Sequence, residues 1–506
     1  MTRRHRHVAL LLLFFVPAAA AFADEAAPRR HLVIDTDLGL DDAVAVAAAL
    51  QAPNVDLLAL VAAEGVLEGP AAAEALGRMV SLFNRGDVAV YEAARREPAG
   101  PVPPFRRLAG EAIEDALAEV RDPPKARPFT PDAYRRPGRR TTVLALGPLT
   151  NLAAAVRQDA TLREAVAEVI VAAPPNDEEA WNLRYDADAA AAVRKAGLTL
   201  RYVNPGREVR KPASWAADPP QIGGGSLAES FIRRLLANEA VRTHYTGQRP
   251  AFHDEAALIY ALHPDDFTES PDAGCTPRDP AVVVAELVGL LTEGRQRRET
   301  VLFTDPILPD DAFRRRIRER KARIIAAHGA NEWLAQVLLN EMHQHLGAYS
   351  IIGVKMGLRA AELLNAPHHA MLVTSEVTDR QPVSCLNDGL IMAVCSTPGR
   401  GLFRQAPGPP DRIQATFEYN GRRLTLSLKK EYQERIQRRI AELLKKHTLE
   451  DDAYWAGVAE LGLEIWETWH RRDLFDVTGG TAPPPAGPST APAAGPPPTE
   501  TEKAKP

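Results

Sequence analysis

Short apolar runs alternate with longer alanine- and leucine-rich stretches from residue 31 to about residue 270. The runs "HLVI", "VDLLALVAA", "DVAVY", "TTVLAL", "EVIVAA" and "LTLRYV" have the length and branched-residue content of strands. Between them, "DDAVAVAAALQA", "PAAAEALGRMVSLF" and "LTNLAAAVRQ" read as helices. Strands joined by helical crossovers predict an α/β unit, a mostly parallel sheet with helices on both faces. Ligands of such sheets settle at the carboxyl ends of the strands, and several candidate polar residues fall there. A charged, proline-punctuated stretch follows from about 290 to 330. After it come helical "EWLAQVLLNEMHQHLGAYSIIGVKMGLRAAELL" and strand-like "HAMLVTSEV" and "RRLTLSLKK", which predict a smaller α+β domain.

Length and composition agree with two cores, since 506 residues at 45% hydrophobic content exceed one ordinary domain. The first 23 residues combine Arg3, Arg4 and Arg6 with a short apolar stretch and the small-residue site Ala21-Phe22-Ala23, the pattern of a secretory leader. We therefore expect an exported chain, periplasmic or secreted, with no membrane attachment after cleavage. The expected divisions are a leader (1–23), a first domain (24–290), a linker (291–330), a second domain (331–476) and a proline- and alanine-rich disordered tail (477–506). Acidic residues outnumber basic ones, 66 to 61, and loss of the leader removes only arginines, which argues against a nucleic-acid partner. The arginine-rich run at 313–325 accordingly reads as a solvated helix face. Three cysteines, Cys275, Cys385 and Cys395, are too few for a disulfide scaffold. Cys385 and Cys395 are left as a disulfide, a metal pair or reactive thiols.

The densest chemistry lies in "HLVIDTDLGLDDAVAVAAAL". Asp35, Asp37, Asp41 and Asp42 crowd the junction of a predicted strand and helix. Helix capping accounts for one or two of them. Asp35 and Asp37 have the spacing of one side of an extended segment, so three or four carboxylates are expected to converge. Each close pair repels by about 1 kcal/mol even in water, and either raised pKa values or a cation must compensate. All-oxygen ligands suit a hard ion, and calcium is the natural choice outside the cytoplasm. An EF-hand is excluded because its glycine would come too early and its final glutamate is absent. A D-x-D phosphatase loop, with Asp35 as nucleophile and magnesium as its ion, is a rival that leaves Asp41 and Asp42 unexplained.

Two distant motifs complete the pattern: Gly147-Pro148 after a strand in "TVLALGPLTNLAAAVRQD", and adjacent His253 and Asp254 in "FHDEAALIYALHPDDF". With "DTDLGLDDA", in this order and spacing, they resemble the inosine–uridine-preferring nucleoside hydrolase family over about residues 31 to 270. The resemblance implies hydrolysis of N-glycosidic bonds in a small ribosyl substrate, homo-oligomeric assembly, and calcium held by Asp37, Asp42, Asp254 and the carbonyl of Leu146. It implies that Asp41 and Asn182 bind ribose, that Asp37 is the base activating water, that His253 assists the leaving base, and that Asp35 supports the others. The chain departs from the family pattern at Val66 and Ala180, where a ribose-contacting asparagine and a glutamate are usual. Glu179 is adjacent to the second position. A catalytically silent protein that keeps a calcium–sugar pocket is the alternative expectation.

In the second domain, His343, His345, Gly353, Gly357, Cys385, Asp388, Thr397, Gly399 and Gly401 resemble the E-type domain family of formylmethanofuran dehydrogenase. His343, His345, Cys385 and Cys395 form a candidate site for zinc or another transition metal, or for a small molecule. The bland alternative is that the histidines cap or pack a helix and the cysteines are small buried hydrophobes.

Overall fold

The computed structural model describes residues 30–479 except 54, 96–101, 104, 121–122, 207–225, 249–251, 297, 299, 304–306, 378 and 409–411. The expected leader and residues 480–506 of the expected tail lie outside the described residues.

Six parallel strands form the first sheet: β1 (Arg30–Thr36), β2 (Val55–Ala62), β3 (Ala89–Tyr91), β4 (Thr141–Ala145), β5 (Val166–Val171) and β6 (Leu200–Tyr202), in the order β3-β2-β1-β4-β5-β6. The two-residue period of the strands divides their apolar side chains between two cores. Leu32, Ile34, Leu144 and Ile170 enter one, while Val33, Val143, Val169 and Val171 enter the other. The first core receives the helix Leu40–Gln51, whose residues Ala43–Leu50 are all buried. The strand order reverses between β1 and β4, which opens the crevice at the carboxyl ends where ligands of such sheets bind. A hairpin, β7 (Phe267–Ser270) and β8 (Gly274–Pro277), lies beyond β6.

The second domain has a mixed sheet of β9 (Leu372–Ser375), β10 (Phe403–Gln405), β11 (Gln414–Tyr419), β12 (Arg422–Leu428) and β13 (Phe475–Gly479), ordered β10-β9-β11-β12-β13. Only β9 and β10 run parallel. Asn420 and Gly421 close the β11–β12 hairpin with φ of 51° and 76°, as a two-residue turn of the right twist requires. The helices Ala348–Leu364 and Cys385–Val394 cross in direct backbone contact. A Cβ at Gly389 would stand 2.2 Å from the Ser350 carbonyl oxygen.

Two expected boundaries are corrected. The stretch expected to be a linker contains the helix Arg315–His328, whose Ile324 is buried in the second core. Its arginines do form the charged outer face, with Arg320 and Arg323 both on Glu467 at 3.1 and 2.7 Å. The expected tail gives three residues to β13, because Val477–Gly479 pair with Leu424–Leu426. Among the described residues, no helix is long and apolar enough to cross a membrane.

The domains meet at helix ends. The Asn365 amide donates to the carbonyls of Phe83 at 2.8 Å and Leu50 at 3.4 Å, which end two helices of the first domain. Asn84 returns a bond to the Leu363 carbonyl, and Gln296 donates to that of Ala361.

Candidate active site

The aspartate cluster follows directly from the way β1 ends. Past Thr36 the chain turns through Leu38 at φ 55°, and Gly39 then begins the helix Leu40–Gln51. Asp42 caps this turn, as its oxygens accept from the Thr36 hydroxyl at 2.5 Å and the Gly39 N–H at 3.0 Å. Helix capping is therefore real for Asp42, yet it leaves the carboxylate facing Asp41 and Asp254. Ligand oxygens of Asp41, Asp42 and Asp254 all lie within 4.8 Å of one another, the tightest such acidic group among the described residues. Asp254 arrives from the helix His253–Leu262, so residues more than 200 positions apart meet at the end of the sheet.

Asp37 lies beside this group and outside that radius. Its Oδ2 accepts from the Val66 N–H at 2.8 Å and the Trp181 indole N–H at 3.2 Å. Gly65 and Gly147 let the backbone close around it: a Cβ at Gly65 would fall 2.1 Å from Asp37 Oδ2, and one at Gly147 would fall 2.7 Å from the Asp37 nitrogen. Burial raises the Asp37 carboxyl to about 6, with the Val66 and Trp181 bonds opposing the rise and Asp41 adding to it. Asp42 is pushed well above the ordinary carboxylate range by burial and then by the charges of Asp37 and Asp41, with hydrogen bonds from Asp254 and Thr36 opposing the rise; Asp254 is pushed up by burial and then by Asp42 and Asp41. The pocket therefore holds more negative charge than its protein surroundings neutralise. A hard divalent cation fits this all-oxygen set, with the Leu146 carbonyl on the same wall.

Asp35 does not join the convergence. Its carboxylate is turned into the domain, where Tyr134 donates at 2.5 Å and Asn151 at 2.9 Å, and burial raises it to about 7. The supporting place expected for it fits this geometry, whereas a phosphatase nucleophile would need to face the cavity.

The cavity holds about 280 Å³ and is lined by Asp37, Asp41, Asp42, Asp254, His253 and Asn182, among others. His253 is the first residue of its helix and half-buried at the cavity wall. Asn182 is 9% exposed, and its amide nitrogen donates to the carbonyls of Leu146 at 2.5 Å and Ala172 at 3.3 Å. Val66 and Ala180 line the cavity too, so the two departures from the family pattern face the ligand space. Glu179 does not replace the missing glutamate, because it is exposed and paired with Arg184. Sequence reasoning missed Trp181 and Phe105, whose rings meet edge to face at 5.7 Å over the cavity. The aromatic immediately before Asn182 was the available signal.

The second candidate site is only partly assembled. His343 Nε2 lies 3.0 Å from Asp388, and His345 donates from Nδ1 to the His343 carbonyl at 2.8 Å while its ring meets Trp455. Cys385 begins the helix that carries Asp388, half-buried, with its thiol pushed up first by burial and then by Asp388. Cys395 is the far cap of that helix, and ten residues at about 1.5 Å each hold the two cysteines about 15 Å apart. This corrects both the proposed four-residue site and the disulfide; all three cysteines are free thiols. Asp388 meets His343, but His343, Cys385 and Asp388 do not close to within 4.8 Å of one another.

Residues 342–475 match the family described as FmdE, molybdenum formylmethanofuran dehydrogenase operon. Residues 32–327 match the family described as inosine-uridine preferring nucleoside hydrolase. A non-specific ribonucleoside hydrolase of Escherichia coli is 26% identical over 330 residues, covering 61% of this chain and 98% of the relative. Among solved structures, a purine-preferring ribonucleoside hydrolase from Gardnerella vaginalis aligns at 17% identity and a TM-score of 0.44, covering 52% of this chain and 98% of its own. A plant nucleoside hydrolase aligns at 23% identity and a TM-score of 0.45, covering 52% and 99%. With the hydrolase family spanning more than half of its length, and the carboxylate pocket at the switch point of its sheet, this chain belongs to the inosine-uridine preferring nucleoside hydrolase family.

Proposed function

We propose that the cavity hydrolyses the N-glycosidic bond of a nucleoside or related ribosyl compound with calcium bound. The observation that carries this reading is the closure of Asp41, Asp42 and Asp254 to within 4.8 Å beside Asp37. Asp37, Asp42, Asp254 and the Leu146 carbonyl would hold the ion, and the Asn182 amide would turn from that carbonyl toward the sugar. Bound calcium supplies charge neutralisation, a fixed seat for vicinal hydroxyls and a more acidic neighbouring water.

The remaining work belongs to side chains of this protein. Asp41 accepts from a ribose hydroxyl. Asp37, fixed through Oδ2 by Val66 and Trp181, keeps Oδ1 to take the proton of the attacking water. Positioned proton transfer of this kind contributes about 10²–10⁴ in rate. The surrounding carboxylates favour the positive charge that develops on the sugar ring as the bond breaks. His253 delivers a proton to the departing base, and Phe105 and Trp181 offer aromatic surface to it. A silent pocket is favoured by one observation: Asp37 already satisfies Oδ2 twice, and Val66 and Ala180 offer no polar contact.

Release of reducing sugar from nucleosides by the purified chain decides between them. Hydrolysis is expected to stop on chelation, return with calcium, vanish in Asp37→Ala and survive in Asp35→Asn. Calcium binding without turnover of any nucleoside would leave the silent pocket. We further propose action outside the cytoplasm after loss of residues 1–23, where millimolar calcium fills a modest site. For the second domain we propose zinc or a similar ion at His343 and Asp388, whose side chains already meet at 3.0 Å, with Cys385 of the same helix as Asp388 moving in as a sulfur donor. Elemental analysis of the parent and of Cys385→Ser tests it, and a metal-free parent removes it.

A further inference from the structure

Four close carboxylates and a larger set of apolar side chains line the cavity. Asp37, Asp41, Asp42 and Asp254 make a floor suited to vicinal hydroxyls, while Val66, Ala173, Pro174 and Ala180 with the rings of Phe105 and Trp181 make the walls. A furanose seated on that floor by its 2′- and 3′-hydroxyls directs its other two substituents, the base at C1′ and the carbon at C4′, toward those walls. Few hydrogen-bonding groups stand among the apolar ones. The Trp181 indole N–H is on Asp37, and His253 and Asn182 are assigned to the base and the diol. Asp177 is exposed at the rim. A 5′-hydroxyl would thus be desolvated against hydrocarbon, whereas a methyl or thioether would gain contact.

Charge and size narrow the ligand further. Among the described residues several carboxylates and no lysine or arginine line the cavity, a lining that disfavours a phosphate. At about 280 Å³, the volume falls at the low end of ordinary ligand pockets, about 300–1,000 Å³.

Resting on the ribosyl reading above, we infer that the preferred ligands are uncharged ribonucleosides with an apolar 5′ substituent, 5′-deoxy or 5′-alkylthio, in place of a free hydroxyl or a phosphate. The full-length chain with calcium is assayed on adenosine, 5′-deoxyadenosine, 5′-methylthioadenosine and adenosine 5′-monophosphate. A hydrophobic pocket distinguishes such changes by roughly 10- to 200-fold. We expect kcat/KM at least about tenfold higher for the two 5′-apolar compounds than for adenosine, and no turnover of the monophosphate. Ala180→Glu, which adds an acceptor to the wall, shifts the ratio back toward adenosine. Equal or better turnover of adenosine or its monophosphate by the parent overturns the inference. If nothing is hydrolysed, calorimetric titration with the same four compounds separates the two claims. A tenfold preference in Kd for the 5′-apolar pair keeps the inference and removes the hydrolase reading; equal binding or none removes both.

Discussion

Lys355 and Glu332 are both fully buried in the second domain, with Nζ 2.5 Å from Oε1, and replacing Glu332 with Gln tests what such a pair contributes. Burial alone would raise Glu332. The charges of Lys355, His328 and Arg471 outweigh it and hold the carboxyl at about 2, against an ordinary 4.5. That difference is worth about 3 kcal/mol at about 1.4 kcal/mol per unit. Because the folded value is depressed, the contribution is full above pH 4.5 and is lost as pH falls through about 2. Lys355 is itself held below its ordinary value, since burial outweighs the pull of Glu332. The pair is therefore worth less than it costs to break, and its main effect is to leave neither charge alone. Glu332→Gln leaves the Lys355 ammonium without a counter-charge, on two neutral acceptors, the new amide oxygen and the Trp466 carbonyl at 3.3 Å, and should cost about 3–5 kcal/mol between pH 5 and 8. Adding Lys355→Met should recover part of the loss, because Arg471 keeps Glu362 at 2.6 Å and the unpaired ammonium is gone. Urea unfolding followed by tryptophan fluorescence reports on this core directly, through Trp333 and Trp466 stacked at 5.1 Å. A Glu332→Gln protein within 1 kcal/mol of the parent at pH 7, or a double variant no more stable than the single, would refute the reasoning.

Three further outcomes are expected. Asp254→Asn should weaken calcium binding at least about tenfold by isothermal titration, since it removes one of three converging carboxylates; unchanged affinity would move the ion elsewhere. Gly389→Ala should lower the urea midpoint of the second domain by an amount equivalent to about 1–3 kcal/mol, as its methyl meets the Ser350 carbonyl; an unchanged midpoint would mean the two helices separate freely. Thiol titration of the oxidised, denatured chain should find Cys385 and Cys395 both reactive, and a Cys385–Cys395 cross-linked peptide in the mass spectrum would contradict the helix between them.

The doubly wound sheet was legible because every strand is an apolar run and every crossover is alanine-rich. The two-residue period that feeds two cores from β1, β4 and β5 is written in those runs. The meeting of Asp42 with Asp254 was legible only through the family resemblance that the motifs carry. Other features depend on backbone geometry that no local pattern encodes. Asp35 and Asp37 share a spacing, but the turn at Leu38 ends the extended segment, and Tyr134 and Asn151 claim only the first. Cys385 and Cys395 look adjacent until a straight helix is placed between them. Lys355 reads as a solvated helical lysine, and its burial depends on Glu332 from a neighbouring helix. The arginines of 313–325 concealed Ile324, whose single apolar face fixes that helix to the second core.

The contact made by Asn365 has a mechanical consequence. The helix Leu40–Gln51 presents Asp41 and Asp42 at one end and, about 13 Å away, the Leu50 carbonyl to the second domain. The second domain thus grips the handle of the element whose tip carries the carboxylates, and no described residue beyond Asp254 lines the cavity. Among the described residues, the second domain supplies no wall to this pocket. A shift of Asn365 would therefore reach the pocket as a push along a rigid rod, felt as a small displacement of Asp41 and Asp42.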